Sequence, residues 1–320
     1  MQPEAAGEFL EPDGRPEVLV LRALKLGDLL VAVPALRGLR RTFPEHRILY
    51  AAQSWLEPLV LLTGCVDALL PTHGLDEPLA LPPGRIDVAV NLHGSGPQSR
   101  GRLEALAPAR RIGHAAAGWD GPAWLDGLHE RDRWTRLLMA HGVDADPLDY
   151  RLAPPAVEAA AAGAVVVHAG AAYGSRLWPI ERFADVAKEL SDAGHRVLLT
   201  GSASERPRVL AVQEAAGLPT EAVVAGSLGL LEFAAVVAEA ALVISADTGA
   251  AHLASAYARP SIVLFGPAPA SEWGPPPGPH VVLTDESRRL GRTFAEEPDP
   301  ALLAVSVADV LDAARNLGVL

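Results

Sequence analysis

Short, wholly apolar segments that end in a polar or glycine-bearing turn and run on into helical spacing recur along this chain, and that recurrence most constrains its fold. Val18-Leu19-Val20-Leu21 is the first, and it leads into a helical run over Leu29 to Arg41, interrupted near its start by Pro34. Arg47 to Tyr50 and Asp87 to Leu92 read as further strands, the latter after a Pro/Gly-rich loop. Strands that are apolar on both faces and alternate with helices belong to βαβ units around a buried parallel sheet.

The pattern breaks once and restarts. Asp144-Ala145-Asp146-Pro147 and Ala153-Pro154-Pro155 lie in a Pro/Ala/Asp-rich stretch between Val143 and Gly163, the composition of a domain boundary. Beyond it, Ala164 to His168, Arg196 to Thr200, Val243 to Ser245 and Ser261 to Phe265 read as strands. Ile180 to Ala193 and Ala250 to Ala258 read as helices. The expected organisation is a flexible tail (1–17), a first α/β domain (18–150), a linker (151–162) and a second α/β domain (163–300). A helix over Ala301 to Asn316, within 301–320, is expected to pack back on the body.

At 320 residues the chain has length for two such cores. A net charge of −12 argues against a general nucleic-acid binder. The single cysteine, Cys65, excludes an intramolecular disulfide and makes cysteine metal sites improbable, which fits a reducing cytoplasm. Residues Met1 to Glu17 lack the basic and apolar regions of a secretory signal, and no apolar run reaches the length of a spanning helix. The expectation is a soluble cytoplasmic protein, at most peripheral to the inner face of the membrane.

Polar chemistry sits where strands end. Ser245-Ala246-Asp247-Thr248-Gly249-Ala250-Ala251-His252 joins an apolar strand to an Ala-rich helix. Ligands of open α/β sheets bind at such carboxyl ends, and the unpaired N–H groups and dipole of the following helix favour phosphate. Asp28, after Gly27, has the same strand-turn-helix context and reads either as a general base facing a ligand or as a helix cap. Arg37, Arg40, Arg41 and Arg47 form either a solvated face or an attractor for an anionic acceptor or membrane surface. Gly170 and Gly174 flank a turn in which Arg176 reads as a phosphate clamp or a surface residue. Glu205, after Thr200-Gly201, suits a ribose diol or, alternatively, the dipole of its own helix.

Other motifs fail. Asp144-Ala145-Asp146 follows no strand and reads as turn chemistry, and Gly94 and Gly96 lack the third glycine of a dinucleotide fingerprint. His93 reads as an ordinary polar loop residue. No phosphate-binding Gly-x-x-x-x-Gly-Lys loop and no Gly-x-Ser-x-Gly elbow occurs.

From about Val18 to its end the chain resembles glycosyltransferase family 9, the heptosyltransferases. Four stretches carry the resemblance: Val18 to Arg22 through Leu26-Gly27-Asp28 to Val33-Pro34-Ala35-Leu36 and Arg41-Thr42-Phe43-Pro44; Gly170-Ala171 with Arg176 to Phe183; the turn Gly201 to Glu205; and Asp247-Thr248-Gly249 with His252, followed by Phe265-Gly266-Pro267 and Trp273-Gly274-Pro275. The resemblance implies a GT-B fold, two Rossmann-like α/β/α domains facing across a cleft, the first for the acceptor and the second for the donor. It implies an inverting, metal-independent transferase without a cofactor. The implied donor is a nucleotide-diphosphate sugar, ADP-heptose by the family's habit, and the acceptor a glycan, lipid-linked or small-molecule hydroxyl. Asp28 takes the place of the family's base, and Gly170, Arg176, Glu205, Asp247, Thr248, Gly249 and His252 take those of the donor site. Three positions depart from the family's pattern: Arg176 stands for a frequent Lys, Leu24 for Ser and Ala169 for Pro. A nucleotide-sugar epimerase or hydrolase, or a non-catalytic sugar-nucleotide binding protein, are the alternative readings.

Overall fold

The computed structural model describes residues 10–320, so that residues 1–9 of the expected tail lie outside the described residues. The described chain divides into two compact units, one up to Tyr150 and one from Arg151 to Leu320, each built around a five-stranded parallel sheet.

In the first unit β1 (Glu17–Leu21) runs into α1 (Leu26–Thr42) and β2 (Arg47–Ala52). Then follow α2 (Glu57–Leu62), β3 (Ala68–Pro71), β4 (Val88–Asn91), α3 (Pro97–Glu104), β5 (Arg110–Ile112) and α4 (Glu130–Ala140). The sheet order is β3-β2-β1-β4-β5, and Leu21 pairs in register with Ala51 on one side and Asn91 on the other. Every residue of β1, β2 and β4 is buried. Helices cover both faces, which is why these strands are apolar without alternation.

Two details differ from expectation here. Helix α1 begins at Leu26, so Asp28 lies in its first turn rather than on the preceding loop. Pro34 stands inside an unbroken helix. A proline there forfeits one backbone bond, and the burial of most of α1 together with its packing on α4 outweighs that cost. Over the described part of the expected tail, Arg15 binds Asp13, and the Leu10 and Glu11 carbonyls accept from Arg85 and Arg47. The basic run is ion-paired, Arg37 and Arg41 sharing Asp149, with Arg40 on Asp67 and Arg47 on Glu17.

The second unit repeats the scheme with β6 (Val165–His168), α5 (Ile180–Asp192), β7 (Val197–Thr200), α6 (Arg206–Ala216), α7 (Leu230–Ala238), β8 (Leu242–Ala246) and α8 (Gly249–Ala256). It ends with β9 (Ser261–Leu264), α9 (Ala270–Trp273), β10 (His280–Leu283), α10 (Pro300–Leu303) and α11 (Val307–Asn316). The order is β10-β9-β8-β6-β7. The carboxyl-terminal run is two helices rather than one, because Ser306 caps α11 by accepting from Asp309 N–H at 3.2 Å. Helix α11 packs on α5. Trp178 is fully buried, edge-on to Phe183, and donates its indole N–H to the Val305 carbonyl at 3.0 Å, tying the turn after β6 to this segment.

The fold predicts one sensitive contact in the first unit. A Cβ at Gly38 on α1 would stand 2.7 Å from the Asp144 carbonyl and 2.9 Å from the Ala145 Cβ. Gly38→Ala should therefore destabilise the protein by about 1–3 kcal/mol, read as a lower urea midpoint with an unchanged slope.

Candidate functional site

In each sheet the strand order reverses once, between β1 and β4 in the first unit and between β6 and β8 in the second. Ligands of open α/β sheets bind beyond the carboxyl ends of the strands at such switch points. The polar residues singled out from the sequence gather at both.

In the second unit β8 delivers Asp247 to this edge, where it is 3% exposed. The loop after β6 brings Arg176 against it. The Arg176 guanidinium donates from Nη1 to the Asp247 carbonyl at 3.0 Å, and the same nitrogen lies 3.1 Å from Oδ2. From α8, His252 Nε2 stands 3.5 Å from Asp247 Oδ1, and its ring is edge-on to Trp273 at 6.3 Å. Thr248 is the N-cap of α8, and the first N–H groups of a helix have no acceptor within it. Arg176, Asp247, Thr248 and His252 are thus one constellation, with Gly249 opening the helix.

This constellation is incompletely satisfied. Asp247 Oδ2, Arg176 Nε and Thr248 Oγ1 are buried without a hydrogen-bond partner among the described residues. Folded proteins rarely leave such groups unpaired, and Asp247 Oδ2 is answered only by the Arg176 ion pair at 3.1 Å.

Glu205 forms the other side of this edge. As N-cap of α6 it turns back, its Oε2 accepting from the Ser202 N–H at 2.6 Å. Its carboxyl carbon lies 2.2 Å from where a Cβ at position 170 would stand, so any larger residue there would have to displace this carboxylate. His168 Nδ1 is 3.0 Å from Thr200 Oγ1, and burial holds its imidazole below the ordinary range, with the Glu205 charge opposing. Arg176 owes its position to a distant segment. Ser175 N–H donates to the Ala295 carbonyl, Ser175 Oγ–H donates to Thr293, and a Cβ at Gly174 would collide with the Glu296 carbonyl at 1.5 Å.

In the first unit Asp28 sits at the edge between β1 and β4 with residues that sequence reasoning passed over. Arg22, immediately after β1, is 1% exposed. Its Nε–H donates to the Asp28 carbonyl at 2.7 Å and its Nη2–H to Asp28 Oδ1 at 3.1 Å, while Nη1 reaches the Leu92 carbonyl after β4. The guanidinium stacks on Trp134 of α4, 4.7 Å from the ring centre, and Nη2 is 3.4 Å from Glu130 Oε2. Asp28 Oδ2 accepts from the Lys25 N–H at 3.3 Å, so the capping geometry is present as well. The signal for Arg22 was its place directly after an apolar strand; nothing in the sequence pointed to Glu130.

His93 is also part of this edge. Its Nδ1 accepts from the Ala23 N–H at 3.2 Å, which leaves the proton of the neutral ring on Nε2. Burial, reinforced by the Arg22 charge and opposed by Asp28, pushes its pKa down to about 4. From the ordinary value of 6.5 down to about 4, the unfolded chain takes up a proton that the folded chain excludes. This contribution to stability is whole above that window and is lost as pH falls through it. Urea midpoints of His93→Gln should therefore decline less steeply between those pH values than those of the wild type.

Four likenesses bear on this geometry. Residues 144–290 match the model of glycosyltransferase family 9 (heptosyltransferase). Lipopolysaccharide heptosyltransferase 1 of Pseudomonas aeruginosa is 38% identical over 154 residues, 45% of this chain and 41% of that protein. The chain thus spans about two fifths of that relative's length. Among solved structures, the Escherichia coli ADP-heptose lps heptosyltransferase II superposes with a TM-score of 0.75 at 21% identity, over 94% of this chain and 98% of that one. A second E. coli heptosyltransferase, solved with ADP, has a TM-score of 0.70 at 18% identity, over 94% and 99%. These two carry the fold, a pair of Rossmann-like α/β domains of the GT-B type. The motifs at the strand ends and the match across the second unit agree: residues 144–290 are similar to glycosyltransferase family 9.

Proposed function

We propose that the protein transfers a sugar, with inversion, from a nucleotide-diphosphate donor to a hydroxyl acceptor. The observation that carries this reading is the unsatisfied cluster of Arg176 Nε, Thr248 Oγ1 and Asp247 Oδ2 at the start of α8. A diphosphate there accepts from Arg176, from Thr248 and from the first amides of the helix, whose dipole favours the charge. The Asp247 carboxylate, held between Arg176 and His252, is an acceptor for sugar hydroxyls. Glu205, pressed on Gly170, is the acceptor for the ribose diol. The charge that builds on the departing diphosphate falls to Arg176 and the helix amides, preorganised stabilisation that requires no metal ion.

The family and the ADP named with one relative's structure support an adenine nucleotide, and the heptosyltransferase names support heptose as the sugar. The relatives' names further support a lipopolysaccharide-type acceptor. Asp28 is the general base: it removes the proton of the acceptor hydroxyl as that oxygen attacks the anomeric carbon, and the nucleoside diphosphate leaves with the bonding electrons. The capping bond from Lys25 N–H to Asp28 favours one second reading, a sugar-nucleotide binding protein in which Asp28 only caps its helix.

Titration calorimetry in EDTA against ADP, UDP, GDP and dTDP tests the donor site. ADP should bind selectively, and Asp247→Ala should weaken it by about tenfold or more, the size of a lost charged contact. Asp28→Asn should keep ADP binding and lose transfer from ADP-heptose to heptose-free lipopolysaccharide by about 10²–10⁴-fold. Equal loss of ADP binding in both variants overturns the division of roles.

A further inference from the structure

We propose that Glu130 is a positioning residue that sets the proton affinity of Asp28 through the shared guanidinium of Arg22. The catalytic half of this inference rests on Asp28 being the base; the coupling itself does not.

The geometry is specific. One nitrogen, Arg22 Nη2, lies 3.1 Å from Asp28 Oδ1 and 3.4 Å from Glu130 Oε2. Arg22 and Glu130 are buried, at 1% and 7% exposure, whereas the Asp28 side chain retains 22%. The Arg22 guanidinium thus has an inner carboxylate on α4 and an outer one on α1. Glu130 is itself clamped, Oε1 accepting from Arg133 Nε–H at 2.7 Å and Oε2 from the Trp134 indole N–H at 2.9 Å. Other groups face Asp28 from every side of this edge. They are Lys25 at the helix start, the neutral His93 after β4, and the Tyr50 hydroxyl on β2, which feels the charges of both Arg22 and Asp28. Arg133 is the remaining charge of the node.

Arg22 bound to Asp28 alone would hold that carboxylate strongly ionised and make it a poor base. A second buried carboxylate on the same nitrogen counteracts this in two ways. It draws the guanidinium inward, and its own negative charge raises the cost of ionising Asp28. Both effects have the same sign. Glu130→Gln keeps the shape and removes the charge, so the Asp28 midpoint should fall by about one pH unit. Trp134→Phe removes the other donor to Oε2, frees that oxygen for Arg22, and should move the midpoint up.

The test is carbon-13 NMR of protein labelled at the aspartate carboxyl carbon, titrated with pH, the Asp28 signal assigned by its loss in Asp28→Asn. In Glu130→Gln the Asp28 midpoint should fall, and in Trp134→Phe it should rise. A midpoint within about 0.3 unit of wild type in Glu130→Gln with unchanged circular dichroism overturns the proposal. Should Glu130→Gln not fold, Trp134→Phe decides alone, and an unchanged or lowered midpoint overturns the proposal. The pH profile of transfer from ADP-heptose to heptose-free lipopolysaccharide separates tuning from mere support. Tuning shifts the acid limb of Glu130→Gln downward by the same amount as the NMR midpoint, whereas a structural defect lowers the rate with the limb in place and overturns the positioning role. Normal transfer by Asp28→Asn would remove the base reading, and the NMR coupling would then stand or fall on its own midpoints.

Discussion

A parallel sheet covered by helices on both faces leaves one kind of place for polar chemistry, the rim where strands end and backbone amides and carbonyls run out of partners. Each unit obeys this constraint. Strands β1, β2, β4, β7 and β8 are buried throughout their length. The charged side chains Arg22 and Asp247 lie within one residue of a strand's end. A rim group so placed is nearly dry, so its charge has to be answered locally. The constellations around Arg22 and around Asp247 are two solutions to that one demand.

The solutions differ in what they leave over. Around Arg22 the charges balance, two guanidinium groups against two carboxylates, with aromatic rings of Trp124 and Trp134 lying under the cations. Around Asp247 the hydrogen-bond accounts stay open at three atoms. The difference gives physical content to arginine at 176. A guanidinium can hold the Asp247 carbonyl with one nitrogen and still present Nε elsewhere, a division that the single ammonium of a lysine cannot make in the same geometry.

Legibility in the sequence followed length and apolarity. The strands at Val18, Arg47, Ala164, Arg196 and Ser261 stood out because three or more apolar residues ran together, and the turns after those at Val18, Ala164 and Arg196 held residues that the structure brings to a rim. The edge strands β3, β5 and β10 were missed: Arg110–Ile112 has one buried residue, and His280–Leu283 is only half-buried, so neither had to be apolar throughout. Helix α4 was invisible for a different reason. Glu130 and Arg133 look like solvated charges in sequence, yet both are buried because each satisfies the other at 2.7 Å. Arg22 and Glu130 are 108 residues apart, and no local pattern announces a pair of that kind. His93 was dismissed as loop polarity, although its register beside the end of β1 gives it the Ala23 amide.

The strap across Gly174 has a bearing on how the protein is made. In the loop that carries Arg176, Ser175 donates to the Thr293 and Ala295 carbonyls and accepts from the Asp299 N–H, all more than a hundred residues later, and no side chain larger than hydrogen fits beneath Glu296. During synthesis the sheet of the second unit can gather its strands as far as β10 while this loop still lacks its partners. Arg176 is then the last part of the Asp247 constellation to be fixed. A nascent chain halted before Thr293 would carry Arg176 on a loop without the bonds that Ser175 makes to Thr293 and Ala295.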